Sequence, residues 1–265
     1  MSNKNLEKLT SVGIIGFGNM GSSMASYLSR SGYSISAYDK LQSAGSFASK
    51  MQDVAKRDVI FVCVKPKDMG QVLAELKSEL DATGDSPLII SIAAGFSIDS
   101  IEKILGEKRK IIRAMPNLGA KVGLSVTGFS PNKNVSVQDL QIIFGILGSF
   151  GTSCQTREDL MDGVTAISGS GPAYFFYLAR QMEKAAEEMG FDAKTAETLC
   201  RNTLIAAGKL LENNEGSFEE IISKIKTPGG TTAAALDKFE KEGVAQGLIS
   251  GIYAAQKRGA ELNNR

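Results

Sequence analysis

Apolar positions in the first part of the chain come in two spacings that alternate. Val12-Gly13-Ile14-Ile15 is a short, mostly β-branched run, the pattern of a buried strand. Behind it Met20, Met24, Tyr27 and Leu28 recur at helical spacing as far as Gly32, a residue placed to stop a helix. Ser34 to Tyr38 alternates as a second strand and ends on Asp39-Lys40. A third strand over Asp58 to Val64 precedes Lys65-Pro66-Lys67 and a helix through Val72, Leu73, Leu76 and Leu80. Leu88 to Ile92 is a fourth, followed by Gly95 and a helix that starts near Ser97 and carries Ile98, Ile101, Ile104 and Leu105. Lys110 to Ala114 and Ser125 to Phe129 read as the fifth and sixth. Ile142, Ile143, Ile146 and Leu147 then mark a helix, and Thr152 to Gln155 a last short strand. Repeated strand–helix units predict an α/β fold, a parallel doubly wound sheet with right-handed crossovers.

From about Asp159 the strand signals stop. Ser168-Gly169-Ser170-Gly171-Pro172 opens the longest helix, with a Ser cap and Pro in the first turn, and Phe175, Leu178, Ala179, Met182 and Ala186 form one stripe. A second helix runs from Asp192 through Leu199, Thr203, Ala207, Leu210 and Leu211. Ser217 and Glu220 form a capping-box pattern ahead of Ile221, Ile222 and Ile225. Thr227-Pro228-Gly229-Gly230-Thr231-Thr232 leads into an Ala-rich helix ending near Gly243, and a final helix carries Val244, Leu248, Ile249, Ile252 and Tyr253. The pattern therefore predicts an α/β domain over residues 1–158 and an all-α domain over 159–265. Helices this rich in Ala and Leu bury more than one side, most simply against a second copy of the chain. A compact monomeric bundle is the alternative.

Composition narrows the class. The chain has 265 residues, 30 Lys plus Arg against 29 Asp plus Glu, and a formal charge of +1. Neither that balance nor any basic run suits a nucleic-acid footprint. Met1 to Thr10 is polar and lacks the apolar core of a signal peptide, and Val59 to Val64 is too short to span a bilayer, so a cytoplasmic protein without membrane contact is expected. Cys63, Cys154 and Cys200 are odd in number and scattered, and read as buried reduced thiols. There is no His, which excludes histidine acid–base chemistry and the common zinc sites; no metal is expected.

The chemistry starts at Gly16-Phe17-Gly18-Asn19-Met20-Gly21, a G-x-G-x-x-G between a strand and a helix. Gly16 allows the tight turn, Gly18 lets a pyrophosphate approach the backbone, and Gly21 lets helix and strand pack closely. A glycine-rich turn without a ligand is the alternative. Ligands of such sheets lie at the carboxyl ends of the strands, where Val64-Lys65-Pro66, Ile92-Ala93-Ala94-Gly95 and Met115-Pro116-Asn117 fall. Asp39 stands where an acid binds the ribose 2′-OH of NAD and repels a 2′-phosphate, while Lys40 beside it attracts that phosphate, so the choice of cofactor stays open. Thr227 to Thr232 combines Pro, two glycines and hydroxyls ahead of a helix, which suits a small carboxylate; an ordinary capped turn is the alternative.

Read together, Gly16 to Gly21, Val64-Lys65-Pro66, Ser91 to Gly95, Arg113 to Asn117, Ser168 to Tyr174 and Thr227 to Thr232 form, in this order, a set that resembles pyrroline-5-carboxylate reductase. The resemblance covers the chain from about Val12 to Leu262. It implies an N-terminal Rossmann domain, a helical substrate-binding and dimerisation domain, and a homodimer or an assembly of dimers. The implied reaction is hydride transfer from NAD(P)H to the C=N carbon of 1-pyrroline-5-carboxylate, giving L-proline, with NADP(H) as cofactor and NAD(H) as the alternative. It further implies that Gly229 to Thr232 hold the substrate carboxylate, with Thr227 at the head of the turn, and that the catalytic Thr232 hydroxyl meets the ring nitrogen. Gly16 to Gly21, Asp39, Lys40, Val64, Lys65, Pro66, Ala93, Ala94 and Gly95 would line the cofactor, with Met115, Pro116 and Asn117 beside the nicotinamide.

Glu158 and Glu215 fall where the family has acidic residues near the substrate; solvated helix-end carboxylates are the alternative. Three features depart from the family pattern: Thr227 replaces Ser, Lys224 stands where Asn is frequent, and Lys40 to Arg57 is shorter by about one small helix-strand element. Two other readings compete. A β-hydroxyacid dehydrogenase or imine reductase resembles this architecture, but such dehydrogenases need a Lys one turn into the helix that begins at Pro172, where Ala173-Tyr174-Phe175-Phe176 stand. A non-catalytic cofactor-binding regulator would not need the Pro-Gly-Gly-Thr-Thr turn.

Overall fold

The computed structural model describes residues 10–41, 44–213 and 215–263. The start of the chain, read above as lacking a signal-peptide core, lies outside the described residues over positions 1–9. The chain divides into two compact units, one running to Ser170 and including Ala255 onward, the other Gly171–Ala254.

In the first unit the apolar runs become β1 (Ser11–Ile15), α1 (Asn19–Arg30), β2 (Ser34–Tyr38), α2 (Met51–Ala55), β3 (Val59–Val62), α3 (Met69–Thr83), β4 (Leu88–Ser91), α4 (Ile98–Leu105), β5 (Lys110–Met115), β6 (Ser125–Pro131), α5 (Val137–Gly148), β7 (Gly151–Gln155) and α6 (Met161–Val164). The strands form one sheet in the order β2-β1-β3-β4-β5-β6-β7. Because side chains alternate across a strand, each central strand feeds two apolar layers. Val12, Ile14, Phe61, Ile90 and Ile112 pack with Met24 and Leu28 of α1 and Ile143, Ile146 and Leu147 of α5. Ile15, Ile60, Val62, Ile89 and Ile111 pack with α2, α3 and α4 through Val54, Leu73, Leu76, Leu80, Ile101 and Leu105.

Two local expectations change. The sheet is not parallel throughout: β6 runs antiparallel to β5, and β7 follows β6 in parallel. The nine-residue link between β5 and β6 holds only a 3-10 turn at Leu118–Val122, too short for the helical crossover a parallel pair requires. The Ser168 segment is also not a simple capped helix start. Thr165–Gly169 forms a π-helical turn between α6 and the next helix, and the Ser168 hydroxyl donates to the Val126 carbonyl at 2.8 Å instead of capping. Between β2 and β3 the described residues hold a 3-10 turn at Gly45–Phe47, the five residues of α2 and Ala48, which forms an isolated bridge to Ala37 of β2.

The second unit contains α7 (Gly171–Glu188), α8 (Ala193–Glu212), α9 (Phe218–Ile225), α10 (Thr231–Lys241) and the part of α11 (Val244–Asn263) up to Ala254. Asp192 caps α8 by accepting from the Thr195 amide, and Ser217 and Glu220 close the expected capping box at α9. Few of its side chains are buried. Phe175, Phe176, Met182, Leu199, Ile205, Phe239 and Ile249 are all exposed within the single chain. No helix among the described residues is long and apolar enough to cross a membrane.

Candidate active site

The parallel register sets the site of the first unit. Ile15 lies beside Tyr38 and Val62, Val62 beside Ser91, and Ser91 beside Arg113. Five segments named from the sequence therefore leave one edge of the sheet: Gly16 to Gly21, Asp39-Lys40, Val64 to Pro66, Ala93 to Gly95 and Met115 to Asn117. The Gly16 amide donates to the Tyr38 carbonyl at 2.8 Å, and the Cys63 amide to the Ile15 carbonyl at 2.7 Å. Gly16 has φ +94°, and a Cβ there would lie 2.8 Å from a Val64 methyl. At Gly21 a Cβ would overlap the Gly16 carbonyl oxygen, so α1 can seat on β1 only through glycine. Gly18 differs, since nothing lies within 4 Å of where its Cβ would point. It is the N-cap of α1, no side chain caps that end, and the first turn carries no acid. The amides of Asn19, Met20 and Gly21 thus face an open approach with the positive end of the helix dipole behind them. These residues fit a pyrophosphate, which needs backbone donors and no Cβ in its way.

Asp39 closes the loop from the other side. Its Oδ2 accepts from the Phe17 amide at 2.6 Å and its Oδ1 from the Leu41 amide at 2.7 Å, so the carboxylate fixes the glycine loop to the end of β2. Beyond it opens a cleft of about 1010 Å³, with Asp39, Lys40, Lys50, Asp53 and Glu75 among its walls. Burial, and then a hydrogen bond and the charge of Glu75, push the Tyr38 phenol above its usual range. Cys63, just below the glycine loop, is desolvated and its thiol pushed up to about 12, so it stays protonated and unreactive at neutral pH, while Cys200 is buried as expected and Cys154, against expectation, is exposed.

On the far side of the edge, Asn117 is buried and spends its side chain on the protein. Its Oδ1 accepts from the Gly119 and Val126 amides at 3.0 and 3.3 Å, and its Nδ2 donates to the Ser168 carbonyl at 3.1 Å. Its own amide donates to Ser125 Oγ at 3.2 Å. Asn117 thereby ties the turn after β5 to β6 and to the π-helical segment. Asn117→Ala would leave two amides and a carbonyl without their partner, and we expect a loss of about 2–3 kcal/mol of stability, read from the urea midpoint at unchanged m-value.

Arg113, quoted from the sequence only as the start of the Arg113 to Asn117 motif and given no role there, brings a buried charge to this edge. It sits within an apolar strand at 3% exposure. Its Nη1 donates to Glu158 Oε1 at 3.0 Å and its Nη2 to Asp162 Oδ1 at 2.9 Å. A charged residue amid Ile111, Ile112 and Ala114 signals that partners must exist, because an unpaired buried guanidinium is too costly. Glu158 is therefore turned inward here, whereas Glu215 is exposed.

In the second unit, Thr227 to Thr232 forms a tight turn that starts α10. The Gly230 amide donates to the Thr227 carbonyl at 3.0 Å, with Pro228 and Gly229 between them and Gly229 at φ +69°, the residue pattern of a type II turn. The Thr227 hydroxyl lies against Gly230, where a Cβ would overlap it. Gly230 is the N-cap of α10 and no side chain caps that end, so its first amides are left for a ligand or solvent. Thr231 is exposed and Thr232 half-buried at this end. Among the described residues no group of His, Cys, Asp and Glu could hold a metal ion.

Comparison with known proteins decides the family. Residues 158–262 match the family model described as pyrroline-5-carboxylate reductase dimerisation, and residues 11–95 the one described as NADP oxidoreductase coenzyme F420-dependent. The chain is 35% identical over 262 residues to the pyrroline-5-carboxylate reductase of Aquifex aeolicus, covering 95% of this chain and 97% of that one. The chain belongs to the pyrroline-5-carboxylate reductase family. A solved pyrroline-5-carboxylate reductase from Coxiella burnetii superposes with a TM-score of 0.87 at 31% identity, covering 96% of this chain and 98% of that one. The pyrroline carboxylate reductase of Plasmodium falciparum with NADP bound gives 0.83 at 27% identity, with coverage of 96% and 98%. As in other pyrroline-5-carboxylate reductases, the helices of the second unit are dimerisation elements. Self-association accounts for apolar faces that a single chain leaves open.

Proposed function

We propose that this chain reduces the C=N bond of 1-pyrroline-5-carboxylate to L-proline with NADP(H), or alternatively NAD(H), as the donor. One pairing of features carries the reading. A glycine loop with an open Gly18 at an uncapped helix start stands in the same chain as a Pro-Gly-Gly-Thr-Thr turn at a second uncapped helix start. One suits a pyrophosphate, the other a small carboxylate.

Bound to the first unit, the nicotinamide cofactor supplies the hydride. Gly16 to Gly21 bind its phosphates through backbone amides. Asp39 and Lys40 meet its adenosine ribose, where Lys40 favours a 2′-phosphate and Asp39 a free 2′-OH. Val64, Lys65, Pro66, Ala93, Ala94 and Gly95 line its length, and Met115, Pro116 and Asn117 border the reactive ring. Asn117 acts there through the turn it holds, since its side-chain amide and its backbone N–H are spent inside. In the second unit, Thr227 and Gly230 shape the turn, the Gly230 amide being spent on the Thr227 carbonyl, and the amides of Gly229, Thr231 and Thr232 take the substrate carboxylate. The Thr232 hydroxyl hydrogen-bonds the ring nitrogen and helps to keep it protonated. A protonated cyclic imine is already electrophilic, so orientation and charge management suffice and no histidine is needed. Residues 1–158 serve the cofactor and 159–265 the substrate and self-association, as a homodimer or an assembly of dimers. The protein works in the cytoplasm, without nucleic acid or membrane as a partner.

Steady-state oxidation of NADPH and NADH tests this with 1-pyrroline-5-carboxylate beside a panel of β-keto acids. Turnover with the imine alone is expected. Turnover with a β-keto acid alone would favour a dehydrogenase, and turnover with neither a regulator.

A further inference from the structure

We infer that Glu158 is a positioning residue that fixes, through Arg113, the geometry of the two turns flanking the nicotinamide. The inference rests on the cofactor reading above. Glu158 Oε1 is shared, accepting from Arg113 Nη1 at 3.0 Å and from the Ile98 amide at 3.1 Å. Ile98 opens α4 directly after the Ala93 to Gly95 turn, and Arg113 lies on β5 two residues before Met115. One oxygen atom thus couples the start of α4 to the end of β5. Of the two segments, the Ala93 to Gly95 turn has few side-chain means of holding itself. Ala93, Ala94 and Gly95 carry almost no side chain, and Ser97 already caps α4 by accepting from the Ser100 amide at 3.2 Å. The Ile98 amide would otherwise be an orphan donor of the first turn.

The arrangement is not the one that maximises stability. Glu158 Oε2 is buried without a hydrogen-bond partner among the described residues, a desolvation cost. Buried ion pairs also stabilise less than well-packed apolar groups of the same volume. What the carboxylate provides is a fixed distance between two backbone segments. Arg113 keeps Asp162 as a second anchor at 2.9 Å, so its charge stays paired when Glu158 is changed.

Two substitutions separate reach from charge. Glu158→Gln keeps the length and the Oε1 acceptor but removes the charge. Glu158→Asp keeps the charge but is one methylene too short to bridge both donors. In the cofactor-free protein, amide exchange over residues 93–98 and 115–117 is expected to rise in Glu158→Asp and to stay near wild type in Glu158→Gln. In the full reaction, Glu158→Asp is expected to lower kcat by on the order of 10- to 100-fold through misplacement of the reacting groups. The deuterium isotope effect on hydride transfer should rise while the Kd of NAD(P)H, set by the glycine loop, stays unchanged. Glu158→Gln should retain most of kcat. The reverse order of the two variants would overturn the inference, as would unchanged exchange over both segments or an unchanged kcat in Glu158→Asp. A wild-type protein inactive on 1-pyrroline-5-carboxylate would instead sink the functional reading, and the exchange result on free protein would stand apart from it.

Discussion

Gly21→Ala is expected to destroy cofactor binding and destabilise the fold together, whereas Gly18→Ala, three residues earlier, should weaken binding and leave stability intact. A Cβ on Gly21 overlaps the Gly16 carbonyl oxygen and lies 3.3 Å from an Ile14 methyl. Relief requires α1 to lift off β1, carrying its amide donors with it. Overpacking of this kind costs about 1–3 kcal/mol, and displaced donors lose a phosphate altogether. A Cβ on Gly18 meets nothing within 4 Å, so the free protein has no reason to change. Its methyl would stand in the space a pyrophosphate needs. Titration of nicotinamide fluorescence, with thermal unfolding of both variants, checks the pair. Normal cofactor affinity in Gly18→Ala would remove the loop from the binding site.

Thr232→Ala should separate catalysis from cofactor binding in the opposite sense. Thr232 is the second residue of α10, half-buried beside an N-terminus that no side chain caps. Its hydroxyl is assigned to the ring nitrogen of the imine, whose protonation makes the neighbouring carbon electrophilic. Losing such a group typically costs 10²-fold or more, so kcat is expected to fall by about 10²-fold with the Kd of NAD(P)H unchanged. The backbone amides assigned to the carboxylate remain, so KM should shift less than kcat. A Thr232→Ser variant should restore most of the rate. Wild-type kinetics in Thr232→Ala would refute the assigned role.

How far the sequence carried differs from element to element. The strands and the longer helices of the first unit follow from apolar spacing, since burial of alternate or every third and fourth residue is what builds them, whereas the short α2 and α6 are too brief to show a period and were not read. The Gly16 to Gly21 loop was legible because Gly16 and Gly21 answer steric demands that the structure displays, while Gly18 leaves its approach open. The direction of β6 was not, because it depends on the length of the Pro116 to Leu124 link and on what that link folds into. The π-helical turn at Thr165–Gly169 was equally hidden: Ser168 looks like a cap in sequence, yet its hydroxyl reaches a strand carbonyl 42 residues away. The Arg113, Glu158 and Asp162 cluster joins residues 45 and 49 positions apart. Periodicity does not pair charges over that distance; the Arg inside Lys110-Ile111-Ile112-Arg113-Ala114 was the available signal that a partner must exist, and the strand reading of that run did not use it. Asp39 was read as a contact for the cofactor ribose, and the structure adds a bond to the Phe17 amide that no local rule supplies.

The central claim is that this chain converts a cyclic imino acid to proline at the expense of a reduced nicotinamide. Its most direct test is stoichiometry: purified protein is mixed with a limiting amount of NADPH or NADH and excess 1-pyrroline-5-carboxylate, and the product is quantified by chiral chromatography. One L-proline is expected for each reduced cofactor consumed, with none formed when the cofactor is withheld. Cofactor binding without any L-proline, or cofactor oxidation that yields no proline, would contradict the claim.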